Sequence, residues 1–210
     1  MYLPRAFAET DLRALDALVA RDPFATLVTV RDGAPTISQL PVLLVRDGDR
    51  VELHGHWARS NPQSTHAGPA TVLLHGPHAY VSPGWYRDKR AQARVPTWNY
   101  ASAELHGALE TYDDEDGLAD LVDRLSRHFE ARVGGDWAFE FDRPEERVQL
   151  RGIVGFRFRA ERVAIKHKLN QNHPRANREA VAAALQALPG DANRDVAALM
   201  RAAFANDTGD

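Results

Sequence analysis

The sequence predicts a mainly β protein with peripheral helices, folded as a small antiparallel barrel, and three observations predict it. About six or seven stretches rich in Val, Leu, Ile and Thr follow one another in meander order. Asp-Gly pairs in "RDG" (31–33) and "RDGD" (46–49) separate the first three of them and supply the positive φ that a hairpin turn needs. Helical patterns do not alternate with single strands, which argues against a parallel α/β sheet.

The elements follow in order. Thr10 is the expected N-cap of a short helix, with Asp11 at its positive end and Leu12, Leu15, Leu18 and Val19 on one face; Pro23 closes it. "FATLVTV", "APTISQLPVLLV" and "RVELHGH" then form an antiparallel meander of three strands. A short helical turn near Ser60 to His66 leads into the strands "ATVLLHG" and "HAYVSP". A further strand covers about Trp98 to Thr111, where Ala101, Ala103 and Leu105 alternate with Ser102, Glu104 and His106. The acidic "DDEDG" opens a helix with Leu118, Leu121, Val122, Leu125 and Phe129 on one face. "GIVGFRFRAERVAIKHKL" reads as a final strand with Val154, Phe156 and Phe158 inward and Arg157 and Arg159 outward. Beyond Pro174 the Ala-rich chain predicts helices broken at Pro189-Gly190, with a fraying tail "NDTGD". The stretch Ser82 to Thr97 is too long for an ordinary connection, so it is either functional or mobile.

Composition sets the function classes. A chain of 210 residues, 44% of them hydrophobic, buries a sizeable core as one domain with room for a helical appendage. A net charge of -3 argues against a protein that coats nucleic acid non-specifically. The absence of cysteine excludes disulfides, Cys-containing zinc sites, iron–sulfur clusters and thiol catalysis. Neither a signal or transit pattern nor an apolar run of membrane-spanning length is present, so a soluble cytoplasmic protein with no membrane partner is expected.

Four clusters carry chemistry. In "ELHGHWARSNPQ" (52–63), Glu52, His54 and His56 share one strand face, with Arg59 and Asn61 just beyond the strand end. A guanidinium fork beside neutral donors suits a phosphate monoester, and Gly55 would let backbone approach a ligand. The same residues also read as an Asn-Pro turn with a surface Arg and a capping Ser60. His54, His56, His66, His75 and His78 raise metal binding, but no carboxylates follow them in a matching pattern to accept from the imidazoles of a metal site, so no metal is expected. Tyr80, Trp85, Tyr86, Trp98 and Tyr100 flank His78, Ser82 and Asn99; they suit either a slot for a flat heterocycle or an aromatic interface. The basic run Arg87, Lys89, Arg90 and Arg94 reads as a phosphate-touching or a solvated loop. The tandem C-terminal helices are rich in Ala rather than in the Asn, Gln and Arg that read base edges. Nucleophile elbows, P-loops and dinucleotide fingerprints are missing.

Seven phrases in order, "MYLPRAF", "TLVTV", "GHWARSNPQ", "GPHAYVSPGWY", "VPTWNY", "GIVGF" and "KLNQN", resemble the PaiB family of FMN-binding negative transcriptional regulators. The resemblance runs from Met1 to about Asn172. It implies a six-stranded antiparallel Greek-key split barrel of the FMN-binding type over residues 1–172, followed by a C-terminal helical extension over 173–210. It also implies a homodimer with FMN sites at the interface and a regulatory role that senses redox state or metabolites. DNA stays open as a partner, although no DNA-reading motif is recognisable. The alternative is an FMN-dependent oxidoreductase or flavin reductase of the same superfamily; no catalytic residue is assigned. By the resemblance, His56, Arg59 and Asn61 grip the flavin phosphate. Gln39, Leu40 and Pro41, together with His78, Tyr80, Trp98, Asn99 and Tyr100, approach the flavin edge, and Lys168, Gln171 and Asn172 match the C-terminal motif. The chain departs from the family where Ser64 and Thr65 replace a Trp and a basic residue, Asn170 a Ser, and His173 a frequent Arg.

Overall fold

The computed structural model describes residues 1–205; the expected fraying tail 206–210 lies outside them. The elements are β1 (Ala8–Glu9), α1 (Arg13–Arg21), β2 (Phe24–Arg31), β3 (Ala34–Pro41), β4 (Leu43–Asp47), β5 (Arg50–Ala58), β6 (Gly68–Val81), β7 (Thr97–Tyr112), α2 (Glu115–Val133), α3 (Pro144–Arg147), β8 (Ile153–Lys168), α4 (Arg175–Ala187) and α5 (Asp191–Ala205). The chain divides into two compact units. One comprises Met1–Arg21, His75–Ala103 and the chain from Ala164 onward; the other comprises Asp22–Leu74 and Glu104–Val163.

The second unit carries the strand order β3-β2-β6-β7-β8-β5-β4, a mainly antiparallel Greek-key arrangement. Its hairpins are β2-β3, with Val28 opposite Ile37, and β4-β5, with Leu44 opposite Leu53. The expected middle strand of the meander is two strands, because the chain breaks pairing at Val42, whose amide bonds Pro23 O at 2.9 Å. Consequently β3 stays with β2 while β4 joins β5, and the strand count rises to eight with the two-residue β1 on β8. Alternation on β7 and β8 is as expected, with Leu105, Leu109, Phe156 and Phe158 buried and Arg157 and Arg159 exposed. Gly107 is required by close approach: a Cβ there would stand 1.9 Å from Arg159 O. Helix α2 starts on Asp114, which accepts from Gly117 N at 2.8 Å, and ends on Gly134 at φ 72°.

The first unit packs α4 and α5 around Ala79, Val81, Tyr86, Leu169, Val181, Leu185, Val196 and Met200. The two segments expected as "ATVLLHG" and "HAYVSP" are one strand, β6, which continues through Gly76-Pro77. Gly76 makes this continuity feasible, since a Cβ would lie 2.8 Å from Ala101 O. At α1, Asp11 supplies the side-chain acceptor expected of Thr10, 2.9 Å from Arg13 N. The long stretch after β6 is ordered by buried contacts: Tyr86 receives a hydrogen bond from Asn170 Nδ2 at 3.0 Å and stacks on His173 with ring centroids 4.8 Å apart. Asn170 sits at φ 63°, a conformation Asn tolerates better than most residues with a side chain.

Candidate functional site

In the second unit the donors of "ELHGHWARSNPQ" divide by strand face and turn. Glu52 is buried beneath Arg50, Arg157, Arg159 and His54. Arg50 Nη2 donates to its Oε1 at 2.6 Å, Arg159 Nε to Oε1 at 3.3 Å, and His54 Nε2 lies 3.0 Å from Oε2. Burial alone would raise the Glu52 carboxyl, but hydrogen bonds from His54, Arg50 and Arg159 outweigh it and hold it at about 2. His54 is the second half of this cluster, with Arg124 Nη1 3.4 Å from its Nδ1; burial pushes its pKa down. Gly55 does not leave room for a ligand: the Phe156 ring fills that space, 2.6 Å from where a Cβ would stand.

His56 faces Gly155 of β8, and its Nδ1 is buried without a hydrogen-bond partner. Burial lowers its pKa, so near neutral pH the ring is an uncharged donor–acceptor group. Arg59 ties down the chain before β8: Nε donates to Arg151 O at 2.8 Å, Nη2 to Ile153 O at 3.0 Å, and Nη1 to Asp113 at 2.9 Å. Its side chain nevertheless stays 44% exposed. Asn61 caps the 3-10 turn Pro62–Thr65 by accepting from Gln63 N at 2.9 Å, the role expected of Ser60. Its Nδ2 donates to Ser38 Oγ at 3.0 Å, which brings the turn beside Gln39, Leu40 and Pro41 on β3.

Sequence reasoning missed Gln63. It is fully buried and donates to Thr29 Oγ1 at 3.0 Å and Thr36 O at 2.9 Å, while Trp57 Nε1 donates to its Oε1 at 3.4 Å. Thr29 in turn meets His66 Nδ1 at 2.7 Å. The signal that could have found this hub is a lone amide following Asn-Pro, where a turn returns a polar side chain toward two Thr-bearing strands. A concavity of about 430 Å³ beside it is lined by Val28, Val30, His66, His106 and Glu161 among others. Among the described residues no three of His, Asp and Glu converge as a metal-ligand set.

In the first unit, His78 and Tyr80 project from β6 beside Trp98 of β7, with centroid separations of 6.0 and 6.1 Å to the indole. Tyr80 and Trp98 are about half exposed, an open aromatic platform. Tyr100 lies beneath Lys166 Nζ, 5.4 Å from its ring centroid. Lys168 Nζ donates to Trp98 O at 2.6 Å and so fixes the start of β7. Burial and Lys166 lower its pKa. Gln171 accepts from Leu169 N at 2.7 Å, and Asn172 is exposed. Asn99 is not on the platform: strand alternation turns it inward, fully buried, with Nδ2 3.3 Å from Met200 Sδ and Oδ1 unpartnered.

The family model described as "Putative FMN-binding domain" matches residues 1–162. The chain is 30% identical over 178 residues to protease synthase and sporulation protein PAI 2 of Bacillus subtilis (strain 168), covering 82% of this chain and 83% of the relative. The chain belongs to the PaiB-like FMN-binding family. FMN is the cofactor that membership assigns to it. Two solved structures share the split-barrel fold of this PaiB-like protein. The FAD and heme binding protein of Mycobacterium smegmatis aligns at TM-score 0.56 and 22% identity, over 91% of this chain and 79% of the other. The flavocytochrome Anf3 of Azotobacter vinelandii aligns at TM-score 0.55 and 18% identity, over 79% and 72%. The residues of the PaiB-like chain fit a flavin mononucleotide in kind. The second unit offers the half-buried His56 ring with its Nδ1 unpartnered, the partly exposed Arg59 side chain and the Asn61 amide, and the first unit offers an exposed aromatic platform.

Proposed function

We propose that this protein is a homodimeric, FMN-binding negative transcriptional regulator whose flavin site senses redox state or small metabolites. The observation that carries the reading is the relationship to PAI 2 across most of both chains. His56, Arg59 and Asn61 hold the phosphate, with the His56 Nδ1 gaining the partner it lacks. Gln39, Leu40 and Pro41, and separately His78, Tyr80, Trp98, Tyr100, Lys168, Gln171 and Asn172, are the candidates for the ring. Bound FMN supplies electron transfer, while the protein orients it and sets its electrostatics. A second copy would cover the outer face of β2 and β3, where Phe24, Val30 and Ile37 are 55%, 66% and 60% exposed.

Titration with FMN followed by visible absorbance tests the cofactor, and a promoter gel shift repeated across salt tests the regulator, because phosphate contacts weaken as salt rises. Failure to retain or titrate FMN overturns the flavin site; no salt-dependent shift on any candidate promoter overturns the regulator. One observation favours the second reading, an FMN-dependent oxidoreductase or flavin reductase. On the tandem helices α4 and α5, Arg175 and Arg194 are paired with Glu179 and Asp191, which leaves less positive charge for a DNA backbone. Steady oxidation of a reduced nicotinamide in the presence of FMN would decide for it.

A further inference from the structure

The first unit contains a concavity of about 310 Å³ whose wall is almost entirely apolar. Ala14 and Ala17 of α1, Pro77 of β6, Ala101 of β7 and Ala198 of α5 line it. Small side chains converge here from four elements, whereas protein interiors are otherwise packed to the density of organic crystals. The volume lies at the lower end of the roughly 300–1,000 Å³ typical of small-molecule sites. Its helix α5 wall lies beyond residue 162, where the family match ends.

Three lining side chains are polar. Arg21 Nε bonds Asp195 Oδ2 at 2.9 Å, so the two neutralise one another. His167 is the third, with Glu9 Oε2 3.9 Å from its Nδ1. We propose that this concavity binds a small uncharged molecule of one or two rings, carrying a single hydroxyl or ring N–H that hydrogen-bonds the His167 imidazole. An anionic ligand would have to displace Asp195 from Arg21, and a cationic one would compete with Arg21 for Asp195. Burial lowers the His167 pKa, so near neutral pH its ring can accept a proton-bearing group without adding charge. The site is separate from the residues placed around FMN and does not depend on them.

The test is a fluorescence titration of the full-length, FMN-supplemented protein with 2-naphthol, and with 2-naphthoate as its anionic counterpart. 2-Naphthol is expected to saturate, with 2-naphthoate at least about tenfold weaker, the cost of about 1.4 kcal/mol. Ala198→Phe fills the concavity and is expected to abolish saturation while the FMN spectrum is unchanged. His167→Phe is expected to weaken 2-naphthol about fivefold, the loss of one hydrogen bond. If Ala198→Phe does not fold by circular dichroism, Ala14→Met provides the same reading. Absence of saturation, equal binding of 2-naphthoate, or indifference to both filling variants overturns the proposal. So does a filling variant that changes the sedimenting species instead of probe binding, because the concavity would then be a contact between copies.

Discussion

The donor-rich end of β5 and the aromatic platform on β6 and β7 are both dense in ligand-binding side chains, yet they use them differently. At the end of β5, Asn61, Gln63 and most of Arg59 are already bonded to the protein, and His54 is locked between Glu52 and Arg124. On the platform, Tyr80 and Trp98 remain about half exposed, with the Trp98 indole beside the rings of His78 and Tyr80. A crowd of donors in sequence therefore marks a turn that must satisfy its own backbone as much as a ligand. Exposed aromatic rings have no such internal claim on them.

Variants can break that comparison. The largest effect is expected at Gln63→Ala, which leaves Thr36 O without its donor and Trp57 Nε1 without its acceptor in a buried site. Urea unfolding should show a loss of about 2–4 kcal/mol; a loss within 0.5 kcal/mol, the range of ordinary surface changes, would remove the structural account of this turn.

Acid sharpens the same region. The Glu52 carboxyl sits at about 2 in the folded chain against an ordinary 4.5. Its contribution, on the order of 3 kcal/mol, is therefore complete above about 4.5 and lost as pH falls toward 2. His54 acts in the same direction and earlier: its lowered pKa keeps the folded ring neutral, so stability declines as pH drops below the ordinary 6.5. Urea midpoints of the wild type and Glu52→Gln between pH 7 and 2 measure this, and parallel curves would count against the cluster.

Next in size, Arg59→Ala should weaken FMN about tenfold or more, the share of one charge-assisted hydrogen bond, while His54→Ala weakens it less. Equilibrium titration of both variants gives the order, and the reverse order would move the phosphate away from the turn. The smallest effect is expected at Trp98→Ala, with FMN affinity down severalfold from lost stacking and stability changed by no more than about 0.5 kcal/mol. A large stability loss there would mean that the platform belongs to the protein's own packing.

Much of the fold was legible because period-two burial needs only local sequence: β7, β8 and the α2 face lie where alternation and helical spacing put them. What local sequence could not show was pairing. The break at Val42 depends on a hydrogen bond to Pro23, and the unbroken run of β6 depends on Ala101 leaving no room for a side chain at Gly76. At the candidate site, residue identity was legible and side-chain direction was not. Asn99 stands between Trp98 and Tyr100, and the same alternation that exposes Trp98 buries it against Met200. The partners of Arg59 come from residues 113, 151 and 153, too distant in sequence for any motif to reveal.

The stretch after β6 carries Arg87, Lys89, Arg90 and Arg94, a dense set of tryptic cleavage sites. Tyr86 is buried under Asn170 and His173, Arg87 N bonds Asn177 Oδ1 at 2.8 Å, and Arg94 is held to Asp88 at 2.9 Å. A protease needs roughly an extended, released strand of backbone, so digestion here must wait for that local opening. Nicking in this stretch thus becomes a gauge of how firmly α4 and the Asn170 turn keep their hold on Tyr86.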